Sequence, residues 1–101
     1  MYRPLPKTLT VKDSPIHGQG LYATERIPNG TDLGISHIFA VGFKDGYIRT
    51  PLGGFINHSD TPNSYKVQSH DDSALNYYNL YTTRDIEEGE ELTLNYTLYS
   101  I

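Results

Sequence analysis

Glycine and proline interrupt the first two-thirds of this chain every few residues, so no stretch there is free to form a helix of ordinary length. What lies between the breaks is short and suited to pleated strands. Nine Tyr stand against three Phe and no Trp, and tyrosine favours half-buried strand surfaces. Strands are expected over 8–12, 21–25, 33–41, 47–50, 65–68, 74–83 and 91–96. In the last of these, Leu92, Leu94 and Tyr96 would share one face, and Thr93 and Asn95 the other. Asp13-Ser14-Pro15, Asn29-Gly30 and Lys44-Asp45-Gly46 read as turns, and Pro51-Leu52-Gly53-Gly54 as a break in the chain. The fold class is therefore mainly β, without a long helix, an internal repeat or a linker.

Length and composition narrow the function classes. At 101 residues the chain is one domain, with residues 1–8 as an N-terminal extension. A net charge of -4 and a pI near 5.4 leave no basic footprint for direct nucleic-acid contact. No apolar run approaches the ~20 residues that span a bilayer. The N-terminus is polar and Pro-rich, unlike a secretory leader, so a soluble intracellular protein is expected. The absence of cysteine excludes disulfides, thiolate catalysis and Cys-ligated metals. His17, His37, His58 and His70 lack the close pairing of zinc sites, so no metal is expected.

Three stretches carry chemistry. Ile16-His17-Gly18-Gln19-Gly20-Leu21 sits between two strands, and its glycines let the backbone approach a ligand closely. By itself it also fits an ordinary tight turn. Phe55-Ile56-Asn57-His58-Ser59 runs from apolar to polar where the chain enters the interior. Buried Asn57 and His58 must find partners, either a ligand such as an adenine edge or amino-acid headgroup, or two loops they pin together. The third, Gly89-Glu90-Glu91-Leu92-Thr93-Leu94-Asn95-Tyr96, leads a charged turn into a strand that ends on Tyr96. Glu87 and Glu88, just before it, read as a solvated tip.

Taken in order and at this spacing, the three stretches resemble the SET-domain protein lysine methyltransferases, most closely the minimal viral and bacterial type. Asp60-Thr61-Pro62-Asn63 and Arg84-Asp85-Ile86 match the same pattern, and the resemblance runs over about residues 9 to 99. It implies a β-clip fold of small curved sheets with a C-terminal pseudoknot. The Asn57-His58 stretch and the C-terminal strand would lie side by side. It also implies S-adenosylmethionine as cofactor. His17, Gly18, Gln19 and Gly20 would hold the methionine moiety, and Asn57 and His58 its amino group and adenine.

The same resemblance makes Tyr96 the catalytic residue at the inner end of a narrow lysine channel. The substrate would be a lysine of a basic protein. Tyr65 and Leu94 are the expected channel residues. Tyr99 is the aromatic placed to stack on adenine, because no cysteine-bound lid follows Tyr96. The short lid favours a homodimer that completes the site. For a viral source, the host cytoplasm or nucleus would be the location. The competing class is a SET-like scaffold that binds a protein partner without catalysis.

Overall fold

The computed structural model describes residues 5–39, 46–70 and 76–95. Eight strands and one short helix follow in the order β1 (Leu9–Asp13), β2 (Gln19–Ala23), β3 (Asp32–Phe39), β4 (Tyr47–Arg49), α1 (Pro51–Phe55), β5 (Asn57–His58), β6 (Ser64–His70), β7 (Asn76–Thr82) and β8 (Glu91–Leu94). They form two four-stranded sheets, one ordered β1-β2-β8-β5 and the other β4-β3-β7-β6. Every expected strand has its counterpart. The expected Lys44-Asp45 half of the turn before β4, the end of the 33–41 strand, the start of the 74–83 strand and the last residue of the 91–96 strand lie outside the described residues.

The second sheet is antiparallel throughout: β3–β4 and β6–β7 pair as neighbours in sequence, and the two pairs join through the long-range β3–β7 ladder. Lys66 pairs with Leu80, and His37 with Tyr78. The register of β3 shifts between Asp32 and Gly34, where Gly34 takes a left-handed φ of 118°, and again between Ile35 and His37. Such bulges curve a strand. The first sheet is assembled from distant parts. β8 enters between β2, to which it is antiparallel, and β5, to which it is parallel.

That central position buries both faces of β8: Leu92 and Leu94 on one, and Thr93 on the other. A strand covered on both faces buries consecutive residues. Asn63 supplies the polar partners: the Thr93 amide donates to Asn63 Oδ1 at 2.8 Å, and the Asn63 Nδ2 donates to the Glu91 carbonyl at 2.8 Å. The Ser59 amide donates to the Leu94 carbonyl at 3.1 Å. The connection between β5 and β6 is thus bonded along the C-terminal strand, which lies side by side with the Asn57-His58 stretch as the resemblance implied.

The expected break at 51–54 is helical. Pro51 stands at the first helical position, where its fixed φ fits and its missing donor costs nothing. Gly53 is there for space. A Cβ on it would overlap the Ser36 carbonyl oxygen and come within 3.0 Å of His37 Cε1. The glycine that reads as a breaker in sequence lets α1 lie directly on β3. Phe55, expected to turn inward, is exposed, while Ile56 is buried.

Leu9, Leu21, Ala23, Ile27, Leu33, Leu52, Ile56, Leu80, Ile86, Leu92 and Leu94 form one core between the sheets. Each fully buried Leu or Ile contributes about 1.5–3 kcal/mol. Ile27 and Ile86 also exchange backbone hydrogen bonds at 2.8 Å and join the two strand-leading turns.

His37 is a buried polar exception. Its Nδ1 is 2.9 Å from Ser36 Oγ, and Tyr47 and Tyr78 meet its ring edge-on. Burial, and then the charges of Lys66 and Arg49, push its pKa down from 6.5 to about 4. Burial and Arg49 likewise lower Lys66 to about 8, and its ammonium lies 4.6 Å from the centre of the Tyr78 ring. A histidine kept neutral in the fold makes the unfolded chain the better proton acceptor between the two values. Stability is therefore expected to fall as pH drops from 6.5 towards 4. Urea midpoints measured across that window check this, and His37→Gln should flatten the slope. Glu90, lowered to about 2 chiefly by its hydrogen bond from Arg84, acts only below 4.5. A slope that survives His37→Gln would rule out the histidine as its source.

Candidate functional site

The turn between β1 and β2, the short strand β5 and the first residue of β8 meet at one point. Ser14 begins the turn: its amide donates to the Gly18 carbonyl at 2.8 Å, and its Oγ accepts the Ile16 amide at 3.0 Å. Gly18 takes a left-handed φ of 47° with open space where a Cβ would stand. The turn holds its backbone out while residues 15–19 remain exposed. His17 and Gln19 enter the site through their carbonyl groups.

Asn57 is buried and carries the junction. Its Nδ2 donates to the carbonyls of His17 at 3.1 Å and Gln19 at 3.2 Å, and to Glu91 Oε2 at 2.9 Å. His17 and Asn57 are 40 positions apart in sequence. The carboxamide nitrogen is thus a pin between loops, one of the two roles the sequence left open. Its Oδ1 accepts no hydrogen bond from the described residues. No fully buried side-chain polar atom among these residues lacks a partner, so this oxygen reaches the surface.

Gly20 is buried beneath the same junction. A Cβ there would overlap Glu91 Oε2, with Glu91 Cδ at 2.9 Å and Asn57 Nδ2 at 3.0 Å. Of the two glycines in the turn, Gly18 serves conformation and Gly20 serves close approach.

Three residues of the site were missed in sequence: Ser14, Tyr22 and Glu91. Ser14 Oγ lies 2.9 and 2.8 Å from the two Glu91 carboxylate oxygens, and the Tyr22 hydroxyl is 3.2 Å from Oε1. Partial burial and the negative charge of Glu91 push the Tyr22 phenol pKa up. Glu91 forms no ion pair among the described residues. The available signal was an acid at the head of an otherwise apolar strand. Glu87 and Glu88, the acids singled out, are exposed as expected.

The remaining expected residues divide. His58 is half-buried, pairs with Leu94 across the parallel ladder, and places Nε2 3.1 Å from Asp60 Oδ1. Leu94 is in the core. Tyr65 is exposed on the other sheet, stacked on Tyr81 with ring centres 5.7 Å apart. Tyr96 and Tyr99 lie outside the described residues. β8 delivers the chain to Leu94 opposite His58, two positions before Tyr96 in sequence. Among the described residues no three His, Asp or Glu gather as a metal site, and no helix is long and apolar enough to cross a membrane.

A family model described as the SET domain matches residues 37–97. The chain belongs to the SET-domain family. Its motif-level resemblance to the protein lysine methyltransferases extends to a curated relative. That relative is the Schizosaccharomyces pombe histone-lysine N-methyltransferase described as H3 lysine-37 specific. It is 28% identical over 110 residues, covering 87% of this chain and 72% of that one. Among solved structures, a Plasmodium falciparum protein assigned as a histone methyltransferase superposes with a TM-score of 0.74 at 19% identity, over 90% of this chain and 94% of that one. A humanized mutant of the Chaetomium thermophilum Polycomb Repressive Complex 2 gives 0.70 at 22%, over 89% of this chain and 15% of that one. At those identities the two structures speak for the SET fold.

Proposed function

We propose that this SET domain transfers a methyl group from S-adenosylmethionine to the ε-amine of a lysine in a protein substrate. The observation that carries the reading is the Asn57 junction. It gathers the motif stretches around His17, Asn57 and Glu91, with a carboxamide oxygen still able to accept a hydrogen bond.

The residues present fit the cofactor. The exposed turn 15–19 offers backbone without side-chain obstruction at Gly18. Asn57 Oδ1 is an acceptor suited to an ammonium group. His17, Gly18, Gln19 and Gly20 would hold the methionine end, Asn57 and His58 the amino group and adenine, and Tyr99 the adenine face. When bound, the cofactor supplies an electrophilic methyl group on a cationic sulfur.

The protein has two tasks towards the amine. One is to hold it neutral, because a protonated amine has no lone pair; an apolar channel beside a positive charge disfavours the ammonium form twice. Leu94 and Tyr65 would line that channel. The other is to aim the lone pair, the role of the Tyr96 hydroxyl. Orientation of this kind contributes about 7–11 kcal/mol in well-aligned systems.

The substrate class is a Lys-rich protein, attracted by the net charge of -4. The relative named for histone H3 makes histones the first candidates, and with them a nuclear or cytoplasmic site of action. Incubation with isotopically labelled cofactor and a panel of basic proteins, histone H3 included, tests the proposal. Label found on a lysine side chain by mass spectrometry is the expected result. Isothermal titration that detects no cofactor binding, even with candidate peptides present, would make the domain a scaffold instead.

A further inference from the structure

Glu91 is the one charged group among the described residues of the junction, and unlike Glu90 and Asp85 it meets no cation there; Asp32, also held by neutral donors, is exposed rather than half-buried. Glu90 is bound by Arg84 and Asp85 by Arg26. Glu91 receives hydrogen bonds from Ser14, Tyr22 and Asn57, all neutral donors, and no cation pairs with it among the described residues. Neutral donors hold a carboxylate in place without cancelling its charge. The carboxylate is half-buried, and screening by water is weaker there than on an open surface. It stands against Gly20 and the amide of Asn57, directly behind the turn that presents its backbone outward.

We infer that Glu91 is the positioning residue of the cofactor site, fixing Asn57 and the 14–20 turn while supplying a fixed negative charge behind the cofactor's cationic methionine end. This inference rests on the cofactor assignment above. The two functions are coupled in one side chain. The carboxylate takes a hydrogen of the Asn57 amide, so the Asn57 oxygen is left facing outward as an acceptor. The same carboxylate fits only because residue 20 has no Cβ. A glutamine could keep an acceptor towards Ser14 and Tyr22, but its amide nitrogen would then face Asn57 Nδ2, donor to donor, and the field would be lost.

Ligands that differ in charge separate this role from a merely structural one. S-adenosylmethionine and S-adenosylhomocysteine share an α-carboxylate and an ammonium, the first adds a sulfonium, and methylthioadenosine has none of the three. Dissociation constants for all three would be measured by titration calorimetry on the parent and Glu91→Gln. The expected weakening is about tenfold for the first, about threefold for the second and under about twofold for the third, in line with unit charges interacting across a partly screened site. Equal losses for all three ligands, or no loss, would overturn the charge role. Should Glu91→Gln fail to fold, Ser14→Lys reads the same quantity. It places an ammonium against the carboxylate and should weaken the three ligands in the same order; equal losses there would again overturn the inference. A parent protein that binds none of the three would instead overturn the cofactor assignment itself, and the role of Glu91 with it.

Discussion

Replacing Tyr96 with Phe is expected to cut methyl transfer by about a hundred- to ten-thousandfold while cofactor affinity changes by less than about threefold. The substitution removes one oxygen and leaves the ring, so packing is nearly conserved. The lost hydroxyl is the group proposed to align the attacking amine. A bond made to the reacting atoms lowers the barrier, whereas a bond made equally to bound reactant and transition state alters only affinity. Single-turnover rates with a saturating lysine peptide, set beside calorimetric binding of the cofactor, measure the two separately. Parent-like turnover in Tyr96→Phe would remove this residue from the chemistry. A parallel fall in turnover and affinity would make it a binding group.

The second large effect is on stability. Asn63 is 3% exposed, and its carboxamide is used on both sides, by the Thr93 amide and the Glu91 carbonyl. Asn63→Ala would leave both backbone groups of β8 unpaired in the interior. Each costs about 1–3 kcal/mol, so a total near 4 kcal/mol is expected, out of the ~5–15 kcal/mol typical of a domain. For a chain of this length that is a loss of about 20 °C in Tm. Calorimetric melting of the variant checks it, with Asn63→Asp as an intermediate case that keeps the acceptor and loses the donor. A shift of only a few degrees would show that β8 is held chiefly by its apolar side chains. Because β8 also carries Glu91, the alanine variant should lose cofactor affinity as well.

The substitution of Gly20 joins these two readings. Gly20→Ala forces Glu91 away from Asn57 and Ser14. The moved atoms are the end of a side chain, so the cost to folding is expected near 1–2 kcal/mol. Cofactor affinity should fall more than melting temperature suggests. Titration and melting on the same preparation compare them, and unaltered affinity would detach the junction from the binding site.

Local pattern was enough for most of the strands, because alternation, β-branched and aromatic residues, and Gly/Pro punctuation act over a few residues. It was enough for the family too, since the ordered stretches around His17, Asn57 and Glu91 lie close to the pattern of SET domains. It misjudged Gly53 and did not reach the burial of Thr93, for one reason. Whether a glycine breaks a helix or admits a neighbour, and whether a strand face meets water or protein, depends on what lies across the gap. For Gly53 that is Ser36, and for Thr93 it is Asn63, 30 positions away.

What the linear order of residues determined is the repertoire: short strands, turns at Asn29-Gly30 and Asp13-Ser14-Pro15, a small apolar core, and the side chains available for chemistry. What the tertiary structure alone decided is how Asn57 divides its hydrogen bonds and why Glu91 matters. Both follow from threading β8 between β2 and β5. A carboxylate at the head of a strand is a solvated charge until a buried amide and a glycine close around it. No property of Glu91 by itself encodes that enclosure; it arises from residues that chain topology, not sequence proximity, makes into neighbours.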